Sequence, residues 1–178
     1  TIGSVSPFLF MDALSCQNKV QEELITKKII EGIVKGLNKC DASKILRNSI
    51  GINFGKGETA SVDELISGSR PGHGFDLVGC MIGFVEKSKI KDQKISVGDS
   101  IIALPSSGPH SNGYTALRHH LLNGDFEARK EFKGLYKGKY SLDSKFNGST
   151  IGNILLEPTR IYLQTMAEIS KNYDAVGI

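Results

Sequence analysis

The sequence predicts an α+β fold in two parts, and three observations predict it. Two apolar runs of strand length, over 7–14 and 75–85, bracket a stretch whose apolar residues recur every three or four positions. A second succession of strand and then helix begins at Ser100. Between the two, residues 86–94 (E-K-S-K-I-K-D-Q-K) turn abruptly charged, the composition of a junction rather than of a core. This divides the chain into a part spanning 1–91 and a part spanning 92–178.

The elements follow in order. Pro7 to Leu14 reads as a strand, with Asp12 near its end. From Val20 onward, Leu24, Ile25, Ile29, Ile30, Ile33, Val34 and Leu37 repeat at helical spacing among lysines and glutamates. That pattern is an amphipathic helix packed on a sheet, and Gly36 with Asn38 marks its end. Residues 49–54 read as a short strand entering a glycine-bearing loop, and S-V-D-E at 61–64 offers a capping-box start for a brief helix that stops at Ser67-Gly68. The polar S-G-S-R-P-G-H-G stretch is a loop. Residues 75–85 form the longest apolar run, a buried strand by its length and its glycine and valine content. After the junction, I-I-A-L closes a strand over 100–104, and P-S-S-G-P-H-S-N-G leads into a helix over 114–122. Residues 123–150 are polar and glycine-punctuated, with six basic against four acidic residues between Asp125 and Lys145, which describes a solvated loop. A last helix is expected over 158–170, with Pro158 at the first-turn position that tolerates it. The opening S-P-F-L-F-M-D and the closing Y-D-A-V-G-I both read as strands, so the chain is expected to be a piece of a larger protein.

Composition narrows the function classes. The chain has 178 residues, 39% hydrophobic and 23% charged, ordinary values for a soluble globular protein able to bury a core. Its net charge of +3 is too small to argue for nucleic acid. No apolar run approaches the roughly 18 residues that span a bilayer. Cys16, Cys40 and Cys80 are scattered and odd in number, which suggests a reducing compartment and neither a zinc site nor a disulfide framework.

Two loops carry possible chemistry. F-G-K-G-E-T-A at 54–60 satisfies the G-x-G-x-x-G/A dinucleotide spacing, and Asp76 lies about where a ribose-binding acid belongs. Glu58 argues against that reading, because its carboxylate would repel a pyrophosphate resting on the loop. Glu58 fits better where phosphate arrives with magnesium, which is commonly held by one or two carboxylates plus substrate oxygens. Asp12 is a second such carboxylate. The structural alternatives are that Glu58 caps a turn and Asp12 caps the first helix. In P-S-S-G-P-H-S-N-G-Y, the position between strand and helix directs backbone N–H groups at an anion or polar substrate. Ser106, Ser107, Ser111 and Asn112 add donors there, Gly108 and Gly113 allow close approach, and His110 can donate or transfer a proton. His119 and His120 on the next helix read as surface residues. Arg160 reads equally as a phosphate ligand or as a surface ion-pair partner.

These segments, in this order, resemble AIR synthetase, phosphoribosylformylglycinamidine cyclo-ligase. G-E-T-A at 57–60 and D-L-V-G-C-M-I-G-F-V-E-K-S at 76–88 are similar to that family. So are G-D-S-I-I-A-L-P-S-S-G-P-H-S-N-G-Y at 98–114 and L-L-E-P-T-R-I-Y at 155–162. Relatives on the same fold, such as thiamine-monophosphate kinase and selenophosphate synthetase, tend to carry another acid or a histidine at the glutamate. The resemblance implies a two-domain fold, here the second half of a nucleotide domain and the first half of a substrate domain. It implies a cytoplasmic homodimeric ligase of purine biosynthesis that uses ATP and Mg²⁺ to close formylglycinamidine ribonucleotide to aminoimidazole ribonucleotide, with no nucleic-acid or membrane partner. By carry-over, Asp12, Gly57, Glu58 and Thr59 lie on the nucleotide side, with Asp12 and Glu58 as metal ligands. Ser107, Gly108, His110, Ser111 and Asn112 contact substrate, and Glu58 and His110 take part in catalysis. Departures are visible too. The family's T-D-G-V-G-T-K segment would precede Thr1, H-I-T-G-G-G would follow Ile178, and S-V-D replaces E-M-P after G-E-T-A. The chain by itself is therefore expected to be inactive. A non-catalytic dimerisation or ligand-binding module, and a kinase-like relative, are the competing readings.

Overall fold

The computed structural model describes residues 6–41, 52–85, 87, 90 and 95–173. The charged junction, apart from residues 87 and 90, and the closing strand-like end, apart from Tyr173, fall outside these residues, whereas the opening S-P-F-L-F-M-D at 6–12 is described and is a strand as expected.

The first half is a three-stranded mixed sheet in the order β2-β1-β3. Strand β1 (Ser6–Cys16) lies in the middle, parallel to β2 (Asn53–Ser61) and antiparallel to β3 (Phe75–Phe84). Pro7 sits at the strand's start beside a register shift, where a missing N–H interrupts no regular ladder. Leu14 and Cys16 are fully buried with Val20, and Ile25 and Ile29 pack against them. Each such aliphatic side chain contributes roughly 1.5–3 kcal/mol on burial. The helices therefore cover the sheet face that carries Asp12, Leu14 and Cys16, which alternate along β1. The side chains of β3 stand exposed along its whole length, contrary to the buried strand expected from its apolar run.

The expected single helix is two. α1 (Asn18–Glu22) stops at Glu23, and α2 (Ile25–Asp41) starts after Leu24, whose φ of 57° is left-handed. No glycine or proline marks this break. It turns Glu23 toward Arg70 and His73, which both approach its carboxylate. α2 also runs through Gly36 and Asn38, because nothing there takes the chain out of the helix. S-V-D-E makes one turn rather than a helix. Ser61, the expected cap, instead donates its hydroxyl to Asn18 Oδ1 at 2.6 Å, and Asp63 accepts the Asn18 backbone N–H at the start of α1 at 2.9 Å.

The second half gathers around Leu122, Ile151 and Leu155, with Tyr114, Leu117, Phe126, Tyr136 and Tyr140 packed against them. Its elements are α3 (Tyr114–Leu121), α4 (Lys130–Lys133), the small hairpin β4 (Lys145–Phe146) and β5 (Ser149–Thr150), α5 (Ile151–Leu155) and α6 (Leu163–Asn172). Thr150 caps α5 by accepting the Asn153 N–H at 3.1 Å. Residues 123–150 are thus not simply a solvated loop, since they supply part of this core. Residues 100–104 form no strand. Ile101 is 97% exposed, and no neighbouring strand among the described residues pairs with it.

Candidate functional site

The loop over 105–113 and the segment over 155–162 lie against each other. Ser107 donates its hydroxyl to the Pro158 carbonyl at 2.8 Å, and the Ser111 and Thr159 hydroxyls are 3.2 Å apart. Tyr162 donates to the Pro105 carbonyl at 2.9 Å, and Tyr114 donates to the Leu155 carbonyl. The Pro158 carbonyl is thereby taken by Ser107 rather than by a helical N–H, and the last helix begins at Leu163 and not at the expected Pro158. Nothing in the hydrophobic pattern announces that shift.

Within the loop, His110 has a left-handed φ of 56°, rare for a residue with a side chain. Its Nε2 accepts the Ser107 N–H at 3.1 Å, which places the ring proton on Nδ1. The ring also meets Tyr162 edge-on at 5.9 Å. His110 therefore folds the loop back on itself and consumes one backbone donor. Gly113, with φ 78°, then opens α3. Ser111 and Asn112 remain exposed, while Ser107, Gly108 and His110 are half-buried. A Cβ on Gly108 would lie 3.6 Å from the Ile154 carbonyl, an ordinary contact, so packing does not demand glycine there. His120 is exposed as expected, but His119 is half-buried edge-on to Tyr136 at 5.6 Å.

The G-E-T-A segment is not a loop. It continues β2, where Asp12 pairs with Gly57, Ala13 with Glu58 and Leu14 with Thr59. Between Phe54 and Gly57 the strand holds one residue more than β1 does between Phe10 and Asp12. The glycines thus serve a bulge and a close approach. A dinucleotide fingerprint needs a turn into a helix, and the observed strand excludes it. Gly79 of β3 pairs with Asp12 from the other side, so Asp12 stands between two glycines. Asp12 is 8% exposed, and its Oδ1 has no hydrogen-bond partner among the described residues. A Cβ on Gly57 would come within 2.6 Å of that oxygen. Glu58, the next residue along the strand, points to the opposite, open face beside Ala13 and is exposed. Asp12 and Glu58 therefore do not converge on one point within this chain, and among the described residues no group of three His, Cys, Asp or Glu is placed to hold a metal ion. What fits a hard cation is the unpartnered Asp12 oxygen and, on the other face, the open Glu58 carboxylate.

One buried acid escaped the sequence reading. Glu127 is 1% exposed and accepts from the Arg129 Nε and backbone N–H, each at 3.0 Å, and from the Tyr136 hydroxyl at 3.3 Å. The Arg129 side-chain hydrogen bond, against the opposing pull of burial, holds this carboxyl at about 2. Burial first, then the Glu127 charge, raises the Tyr136 hydroxyl above its usual value. In sequence, E-A-R within a mixed-charge stretch looks like solvated surface, and only the fold shows otherwise.

A small mixed sheet under a helical layer, followed by a loop tied down by a P-T-R-I-Y segment, defines a mixed α and β chain. No family-level sequence profile matches it. Curated relatives do. It is 33% identical over 172 residues to a phosphoribosylformylglycinamidine cyclo-ligase of Methanopyrus kandleri, covering 97% of this chain and 42% of that protein. Enzymes of the same name from Magnetococcus marinus and Thermococcus kodakarensis are 32% and 37% identical, over 99% and 85% of this chain. The chain belongs to the phosphoribosylformylglycinamidine cyclo-ligase family, and it spans about two fifths of the length of these relatives. No helix among the described residues is long and apolar enough to cross a membrane.

Proposed function

We propose that the protein containing this chain closes the imidazole ring of aminoimidazole ribonucleotide from formylglycinamidine ribonucleotide, at the expense of ATP. The observation that carries this reading is the docking of 105–113 on 155–162, which presents Ser111 and Asn112 outward from a tied loop. These residues, with the Gly108 backbone, bind the ribotide through hydroxyl, amide and backbone donors, and Ser107, whose hydroxyl proton and N–H are already engaged, offers its hydroxyl oxygen as an acceptor. His110 sets the shape of the loop through Ser107, and its Nδ1–H remains available to the substrate.

In the reaction, ATP phosphorylates the formyl amide oxygen. The amidine nitrogen attacks the activated carbon, a C–N bond forms, and the C–O bond breaks. Inorganic phosphate leaves with the former formyl oxygen, ADP is the second product, and one proton is released. Such chemistry depends on positioning and on neutralising charge. Magnesium bound with ATP supplies that neutralisation. Glu58 offers it a carboxylate on the open sheet face, with Gly57 and Thr59 beside it on β2, and Asp12 offers an unpartnered oxygen on the covered face. The nucleotide side and the ribotide side thus belong to the two halves of the chain, as parts of two domains, in a homodimeric cytoplasmic enzyme.

The test is an assay of the full-length protein for ATP-dependent formation of aminoimidazole ribonucleotide, alongside this chain alone and full-length E58Q. Product from the full-length protein only, with E58Q strongly impaired, supports the reading. Binding of MgATP without turnover would instead favour a non-catalytic module, and turnover on another phosphorylated metabolite would favour a kinase-like relative.

A further inference from the structure

Residues 67–74, S-G-S-R-P-G-H-G, form a strap with its two ends close together. A Cβ on Gly68 would lie 2.9 Å from the Gly74 backbone. The strap is held to the first half by Glu23, which meets Arg70 Nη2 at 3.2 Å and His73 Nε2 at 2.9 Å, and by the Gln17 side chain, which accepts the Gly74 N–H at 2.8 Å. On its other side the strap touches the second half. Arg129 Nη1 donates to the Ser67 hydroxyl at 3.1 Å, and the Ala128 N–H donates to the Ser69 carbonyl at 3.1 Å. Arg129 is itself aimed by the buried Glu127 carboxylate and by stacking over Phe132, 4.2 Å from the ring centre. A buried acid with three donors around it is more than a surface ion pair requires.

We propose that Glu127 and Arg129 form the fastener between the two halves. Arg129 grips the strap while Glu127 fixes the guanidinium, which makes Arg129 a positioning residue for a reaction needing both halves at once. The turnover consequence rests on the cyclo-ligase reading, whereas the mechanical consequence does not.

The experiment uses the full-length protein as wild type, S67A, R129A and R129K. S67A leaves the Glu127–Arg129 pair intact and cuts a single link, so it remains informative should R129A fold poorly. Hydrogen exchange of residues 67–74 and Ala128 should quicken roughly three- to tenfold in S67A and ten- to hundredfold in R129A, with R129K in between. In R129A, kcat should fall about tenfold or more while the Kd values for MgATP and for the ribotide, each measured alone, stay within about twofold. Unchanged exchange of the strap in S67A and R129A overturns the proposal, and so does quickening spread evenly over the whole protein in S67A. If the wild type makes no aminoimidazole ribonucleotide, the functional reading fails, and the exchange result still decides the fastener.

Discussion

Replacing Gly57 by alanine tests whether G-E-T-A is a strand lying against Asp12. The new Cβ would stand 2.6 Å from Asp12 Oδ1 and 3.3 Å from Phe54 Cζ. Cβ atoms essentially never approach closer than 3.0 Å, so the carboxylate must shift by some tenths of an ångström. Asp12 is 8% exposed, which leaves it little freedom to do so. Overpacking of this kind costs about 1–3 kcal/mol, and the relief of glycine's entropy in a strand returns about 0.5–1 kcal/mol. The net expectation runs from about zero to a loss of about 2.5 kcal/mol. The same substitution at Gly36 is the control, because within α2 its Cβ would meet nothing within 4 Å. Gly36→Ala should stabilise by about 0.8–1 kcal/mol through helix propensity alone. Urea unfolding of both full-length variants, followed by circular dichroism, compares them directly. Equal stabilisation by the two alanines would show that Gly57 does not face Asp12, and the strand register would be wrong.

Other expectations follow from the site. The Glu127 carboxyl is held at about 2 in the fold against an ordinary value of 4.5, so its contribution is fully present above about 4.5 and is lost as pH falls toward 2. Melting temperatures across that window should drop steeply in wild type and less in E127Q, which starts lower; parallel curves would contradict this. Tyr162→Phe removes the bond to the Pro105 carbonyl and should cost about 0.5–1.5 kcal/mol, read by urea unfolding, while raising the KM for the ribotide. Gly108→Ala should leave stability within about 0.5 kcal/mol, since its Cβ meets only ordinary contacts. Its ribotide affinity should nonetheless fall in calorimetry, and unchanged affinity would remove Gly108 from the site. Ser111→Ala with Asn112→Ala should weaken the ribotide and spare MgATP, as two separate titrations would show.

Much of the fold was legible where apolar pattern alone decides it. The β1 run, the β3 run and α3 sit where the pattern puts them, although β3 is exposed along its length and not buried as its apolar run suggested. The failures have physical causes. β2 is glycine- and glutamate-bearing, a poor strand by propensity, and it is a strand because β1 offers it a ladder. The break at Leu24 answers to Glu23's partners some 47 residues away, which no local pattern contains. The start of α6 is set by a loop 51 residues upstream holding the Pro158 carbonyl. Motif spacing singled out Ser107, His110 and Ser111, and the fold does bring their loop against 155–162. The same reasoning gave Glu58 and Asp12 as carboxylates for one metal, and what it could not supply is that strand alternation sets them on two faces of the sheet within this chain.

The most direct measurement follows one oxygen atom. Formylglycinamidine ribonucleotide carrying ¹⁸O in its formyl group, turned over by the full-length protein with MgATP, should deliver the label into inorganic phosphate, one atom for each ring closed. Label appearing in water, with unlabelled phosphate, would contradict activation of the formyl oxygen by phosphoryl transfer.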